Sequence, residues 1–183
     1  ASSTATTGYV PGSATVADIV DSVPALAEIA EIVTEQVSNI GSEDMTDDIW
    51  EKLTEISQKY LDDDSIAGVV ITHGTDTLEE TGFLLNLVLS SDKPVILVGS
   101  MRPATAISAD GPMNIIEAVK VAVCPEAKGK GVLAVMNDEI HGVRDVTKTN
   151  TTNVDTFQSR LFGALGMITG GTPYFFKQSV KPH

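Results

Sequence analysis

Gly68-Val-Val-Ile-Thr-His-Gly-Thr-Asp-Thr77 is an apolar run that stops at a glycine and then presents two threonines and an aspartate ahead of a helical pattern. A short β-rich run, a glycine and a helix start predict a strand-loop-helix unit, the repeating piece of an open parallel sheet. In such sheets the carboxyl ends of the strands face the ligand crevice, so Thr75 and Asp76 are expected to point into a site. A hydroxyl beside a carboxylate suggests acyl chemistry. The plainer reading is a strand-to-helix turn, with Gly74 supplying a tight bend and Asp76 or Thr77 capping the helix at Leu78. A second segment shifts the balance: Gly142-Val-Arg-Asp-Val-Thr-Lys-Thr-Asn-Thr-Thr-Asn153 holds one lysine, Lys148, among hydroxyls and amides. A buried lysine there would activate a threonine.

Outward from this unit the chain alternates helices and strands. Downstream, a helix over Leu78 to Leu89, a strand from Pro94 to Val98, a helix from Pro112 to Val123 and a strand from Val132 to Met136 follow in turn. The strands, the first of them spanning Ile66 to Thr72, lack polar alternation, which implies burial on both faces. Upstream, Val16 to Ala30 reads as helix broken at Pro24, and Ile32 to Val37 as a strand. Thr46 can cap a helix on which Ile49, Leu53, Ile56 and Tyr60 recur at helical spacing. The predicted class is α/β, a mostly parallel sheet flanked by helices. The loops after the strands share small, hydroxyl and acidic residues: Gly41-Ser-Glu-Asp44, Gly74-Thr-Asp-Thr77, Gly99-Ser-Met-Arg-Pro103 and Asn137-Asp138. Gathered at one edge, they suit a ligand the size of an amino acid. No segment matches a P-loop or a dinucleotide fingerprint.

Composition narrows the classes further. The 183 residues, 42% of them apolar, suit one α/β domain with a sizeable core. A formal charge of -13 argues against nucleic acid and anionic membrane surfaces as partners. No apolar run approaches the roughly 20 residues of a membrane-spanning helix, and no signal peptide is visible. Cys124, the single cysteine, is expected to be buried on a helix. His73, His141 and His183 lack metal-spaced partners, so no metal site is expected. Asn150-Thr-Thr152 is a glycosylation sequon, discounted because a glycan there would block the segment that carries Lys148.

Four blocks carry a family resemblance: Ile71-Thr-His-Gly-Thr-Asp-Thr-Leu-Glu-Glu-Thr81, Lys93-Pro-Val-Ile-Leu-Val-Gly-Ser-Met-Arg-Pro103, Ser108-Ala-Asp-Gly-Pro-Met-Asn114 and Arg144-Asp-Val-Thr-Lys-Thr-Asn-Thr151. Together they resemble the bacterial-type L-asparaginase and glutaminase-asparaginase family, over essentially the whole chain. Gly170-Gly-Thr-Pro-Tyr-Phe-Phe176 adds a likeness to its secreted fungal or yeast branch. The resemblance implies hydrolysis of L-asparagine to L-aspartate and ammonia through a threonine acyl-enzyme, without a cofactor. It matches Thr75, Asp76 and Lys148 to the family's catalytic group, and Tyr9, in Thr6-Thr-Gly-Tyr-Val10, to its active-site loop tyrosine. Ser42 and Glu43 match positions that hold the substrate's α-carboxylate and α-amino group. Asp76 would pair with the substrate ammonium, and backbone donors near Thr75 and Ser100 would hold the oxyanion. Arg102 and Asp110 are expected to hold their loops. The implied partner is a small molecule, L-asparagine or also L-glutamine; Glu43 stands where the family often has glutamine. A homotetramer and a secreted, cell-wall or periplasmic location are implied as well.

Two departures from the family pattern set further expectations. Its Thr-Gly-Gly-Thr-Ile-Ala strand, with the usual first nucleophile, would precede Ala1, and its smaller C-terminal domain would follow His183. Residues 1–183 are therefore expected to form an N-terminal α/β domain lacking the first strand. A non-catalytic domain that binds aspartate or asparagine is the alternative from a different class.

Overall fold

The computed structural model describes residues 14–178 and the backbone of residues 2–4 and 7–10. Its frame is a six-stranded sheet. Strands β3 (Val69–Thr72), β4 (Val95–Val98) and β5 (Val132–Met136) run parallel, joined by helices α3 (Leu78–Val88) and α4 (Gly111–Ala122). Beyond β5 the sheet turns antiparallel through β6 (Glu139–Gly142), β9 (Gly166–Thr169) and β10 (Thr172–Phe175), giving the order β10-β9-β6-β5-β4-β3. The parallel half is where helices supply crossovers, and in the antiparallel half tight turns join β5 to β6 and β9 to β10. Two ribbons stand apart from this sheet: β1 (Ser2–Thr4) with β2 (Thr7–Val10), and β7 (Val146–Lys148) with β8 (Phe157–Ser159).

The uniformly apolar strands divide their side chains between two cores. Val95 and Leu97 of β4, with Val132, Ala134 and Met136 of β5, pack on one face against Leu78 and Leu85 of α3 and Leu53 and Leu61 of α2 (Asp47–Leu61). Ile96 and Val98, with Leu133 and Val135, pack on the other against Ala118, Val121 and Ala122 of α4. Alternation between two apolar faces is what a doubly covered strand requires. Thr46 caps α2 by accepting from the Ile49 N–H at 3.4 Å, and the helical stretch from Val16 breaks at Pro24, with α1 (Val16–Asp21) followed by a 3-10 turn over Pro24–Glu28.

Four local expectations are corrected. Residues 32–37 form no strand. Their potential partner β3 lies across a groove of about 440 Å³ lined by Ile32, Val37, Ile56 and Val69. Without a ladder, the segment is held by side chains, Tyr60 Oη donating to Glu35 at 2.6 Å and Lys52 Nζ to the Val37 carbonyl at 3.1 Å. Asn137-Asp138 is a hairpin turn between β5 and β6, both residues at positive φ (53° and 62°), as a two-residue turn matching strand twist demands. Cys124 lies past the end of α4, half-buried, its thiol donating to Glu126 at 3.0 Å. Thr77 stands at the N-cap of α3 without capping it; its hydroxyl donates instead to the Ser42 carbonyl at 2.8 Å.

Candidate active site

The site forms where β3 and β4 end. The His73 N–H donates to the Val98 carbonyl at 2.8 Å, extending the ladder by one bond before the chain turns through Gly74 to Thr77. Two glycines let three loops meet. A Cβ at Gly74 would lie 2.6 Å from Ser42 Oγ, and one at Gly99 would lie 2.7 Å from the His73 carbonyl oxygen and 3.0 Å from Thr75 Cγ2. Ser42, 5% exposed, accepts the Asp76 N–H on its hydroxyl at 3.1 Å. That leaves the Ser42 O–H as a donor.

Lys148 arrives from the separate ribbon at the end of β7. Its Nζ donates to Thr75 Oγ1 at 2.9 Å and to Asp76 Oδ1 at 2.6 Å. Thr75 is 8% exposed; the Lys148 side chain is 16% exposed and that of Asp76 63%. The hydroxyl and amine are thus withdrawn from water while the carboxylate reaches into it. A cation at hydrogen-bond distance from a buried hydroxyl is placed to stabilise an alkoxide, or, once neutral, to take its proton. Asp76 keeps its second oxygen for another cationic partner.

Behind the site, buried polar groups brace the loops. His73 Nδ1 meets the Gly74 carbonyl at 2.7 Å and its Nε2 meets Thr81 Oγ1 at 2.9 Å, while Trp50 Nε1 donates to the same Thr81 oxygen at 2.8 Å. One consistent set of protons satisfies all three: His73 donates from Nδ1, Thr81 donates to Nε2 and Trp50 donates to Thr81. Burial lowers the His73 pKa, in the direction of the neutral ring that this set of hydrogen bonds needs. Asp110 accepts the backbone N–H groups of Met101 and Arg102, each at 2.9 Å, and Arg102 donates to the Ser108 carbonyl at 2.9 Å. Both residues hold loops, as the sequence predicts.

A cavity of about 260 Å³ opens here, with Ser42, Glu43, Thr75, Asp76, Ser100 and Arg102 in its wall. Glu43 is exposed and folds back over Gly41, where a Cβ would sit 2.5 Å from its carboxylate. Ser100 is half-buried at the end of β4. Tyr9 lies on β2, paired with Ser3, and its side chain falls outside the described residues. Asn137 and Asp138 do not line the cavity; Asn114 and Glu117 of α4 accept their backbone N–H groups. Among the described residues, no group of three or more histidine, cysteine or carboxylate side chains converges as a metal site would. Glu79 and Asn114 carry no role in the sequence reading, though both build the site. Glu79 accepts the Thr147 hydroxyl and the Lys148 N–H, and Asn114 donates to the Gly99 carbonyl at 3.0 Å. An acidic residue in a first helical turn signals only a helix N-terminus, because its partners lie 68 and 69 positions away.

Comparison with known proteins gives this geometry a context. The family described as "Asparaginase, N-terminal" matches residues 1–181. The chain is 50% identical over 182 residues to L-asparaginase 2 of Bacillus subtilis, covering 100% of this chain and 48% of that protein. It is 46% identical over 183 residues to the glutaminase-asparaginase of Acinetobacter glutaminasificans, covering 100% of this chain and 55% of that one. A solved structure, the probable cytoplasmic L-asparaginase of Campylobacter jejuni, superposes with a TM-score of 0.89 at 49% identity, over 92% of this chain and 53% of that chain. The chain spans about half the length of the curated relatives it matches.

Proposed function

Because the chain belongs to the asparaginase family, we propose that residues 1–183 are the N-terminal domain of an amidohydrolase that converts L-asparagine to L-aspartate and ammonia. The observation that carries this is Lys148 Nζ within hydrogen-bond distance of both Thr75 Oγ1 and Asp76 Oδ1, beside a cavity of amino-acid size. Asp76 takes the substrate's α-ammonium on its open side, and the Ser42 O–H donates to the α-carboxylate, so two charged anchors fix the carboxamide over the hydroxyl. A threonine oxygen bonds to the carboxamide carbon as its proton passes toward Lys148. The carbon–nitrogen bond then breaks, ammonia leaves with that proton, and water hydrolyses the resulting ester to release aspartate and restore the hydroxyl. Thr75 is the hydroxyl this chain brings to the amine. Backbone donors near Thr75 and Ser100 hold the oxyanion, and Tyr9, which matches the family's active-site loop tyrosine, belongs to the same catalytic group. No cofactor is required.

A homotetramer and an exported location belong to the same proposal. Cell fractionation of the source tests the location, since the Campylobacter relative is named as cytoplasmic. A second substrate, L-glutamine, is favoured by the 46% identity to a glutaminase-asparaginase. The test is ammonia release from both amides by the wild type and Thr75→Val. Asparagine turnover that falls about 1,000-fold in the variant is expected. Unchanged turnover refutes the role of Thr75, and equal kcat/KM values for the two amides remove asparagine specificity.

A further inference from the structure

Lys148 sits on a three-residue strand that, among the described residues, ladders with β8 alone, outside the main sheet. Sheet register therefore cannot set its height relative to Thr75, which the end of β3 carries. Val146 anchors the strand by burial in the core beside Leu78 and Phe157, but an apolar contact fixes neither direction nor rotation. His141 of β6 meets Ser159 Oγ of β8 at 2.9 Å, and the directional tie made by β7 itself is to Glu79, in the first turn of α3. Its Oε1 accepts the Thr147 hydroxyl at 2.8 Å and its Oε2 accepts the Lys148 backbone N–H. Both oxygens of one carboxylate thus engage two consecutive residues of β7, a two-point grip that sets both position and rotation. The gripping residue lies four positions after the hydroxyl and three after the carboxylate that Lys148 meets.

We propose that Glu79 is a positioning residue: it clamps β7 to the start of α3 and thereby holds Lys148 Nζ against Thr75 and Asp76. This rests on the reading of Thr75 and Lys148 as the reacting pair. Glu79→Leu removes both acceptors and so loses both bonds, whereas Glu79→Gln keeps them, its amide oxygen accepting the Lys148 N–H and its NH2 donating to the Thr147 hydroxyl. Substrate anchors on Asp76 and Ser42 stay in place, so the loss falls on kcat and spares KM.

The test is a double-mutant cycle with a separate chemical readout. In Glu79→Leu, kcat for L-asparagine falls by about 100-fold with KM within about twofold, the scale of a small misplacement of a reacting group, and Glu79→Gln restores it. Thr147→Val, which removes one bond only, falls less in the same direction and serves if Glu79→Leu does not fold. In a Lys148→Met background, Glu79→Leu has no further effect, because a group acting through Lys148 has nothing left to position. The chemical readout is the rate at which Lys148 is methylated by formaldehyde and borohydride, relative to the exposed Lys59, followed by peptide mass spectrometry. Loss of the clamp raises this ratio. Equal, additive losses in both backgrounds overturn the proposal, as does unchanged Lys148 reactivity. Absence of asparaginase activity in the wild type defeats the proposed function, and the methylation ratio then still decides the clamp.

Discussion

At the scale of single residues, the site depends on how closely three loops approach one another. Gly74 and Gly99 are needed for space and not for an unusual φ: neither has a positive φ, and each lacks the Cβ that would collide with the neighbouring loop. Gly74→Ala is therefore expected to push Ser42 away and cost about 1–3 kcal/mol of stability, the usual range for overpacking. Calorimetry should also show weaker L-aspartate binding, since the Ser42 hydroxyl and the Asp76 N–H move together. A variant that binds aspartate like the wild type would mean that the Ser42 loop does not touch ligand. Much at this scale is legible in the sequence. Thr75, Asp76 and Ser100 stand in loops after apolar strands, and strand polarity alone carries such loops to one edge, whereas Ser42 and Glu43 follow a segment that forms no strand. The partners of Glu79 are not legible, because a bond spanning 69 positions leaves no local pattern.

At the scale of elements, apolar periodicity places helices and buried strands well and fails where pairing decides. Residues 32–37 have strand-like composition, yet a strand exists only with a neighbour, and across the groove β3 offers none within reach. The β5–β6 hairpin fails for the opposite reason: Asn137-Asp138 has the composition of a ligand loop but adopts the positive-φ pair of a tight turn. That hairpin is pinned to α4 by Glu117, 2% exposed, which accepts the Asp138 N–H at 3.3 Å. Burial first, then the hydrogen bond and charge of Asp138, push the Glu117 carboxyl up to about 7 from 4.5. A raised carboxyl is protonated in the fold at a pH where the unfolded chain has lost the proton. Its contribution is therefore full below 4.5 and is lost as pH rises through about 7. Thermal unfolding is expected to show Tm falling between about pH 5 and pH 8, and Glu117→Gln to flatten that slope. An identical slope in the variant would exclude Glu117 as the source. In the strands, Ile96→Ala, at a fully buried position of β4, should cost about 2–5 kcal/mol in denaturant unfolding.

At the scale of the whole molecule, the proposed catalytic group is assembled from the two halves of the chain, Thr75 and Asp76 from the parallel half and Lys148 from the ribbon beyond it. The groove beside β3 adjoins that group, and its lining shares Thr72 and His73 with the cavity. The surface charge of -13 leaves local cations as the means of gathering anionic groups, which places weight on Lys148 at the site.

The central claim is that Lys148, held against Thr75 and Asp76, is the amine on which amide hydrolysis depends. Its most direct test is the rate of ammonia release from L-asparagine by the protein and by Lys148→Met, with circular dichroism to establish that both are folded. The expected result is hydrolysis by the wild type and a loss of about 1,000-fold in the variant, the contribution of a positioned acid–base group. A folded Lys148→Met protein that releases ammonia at the wild-type rate would contradict it.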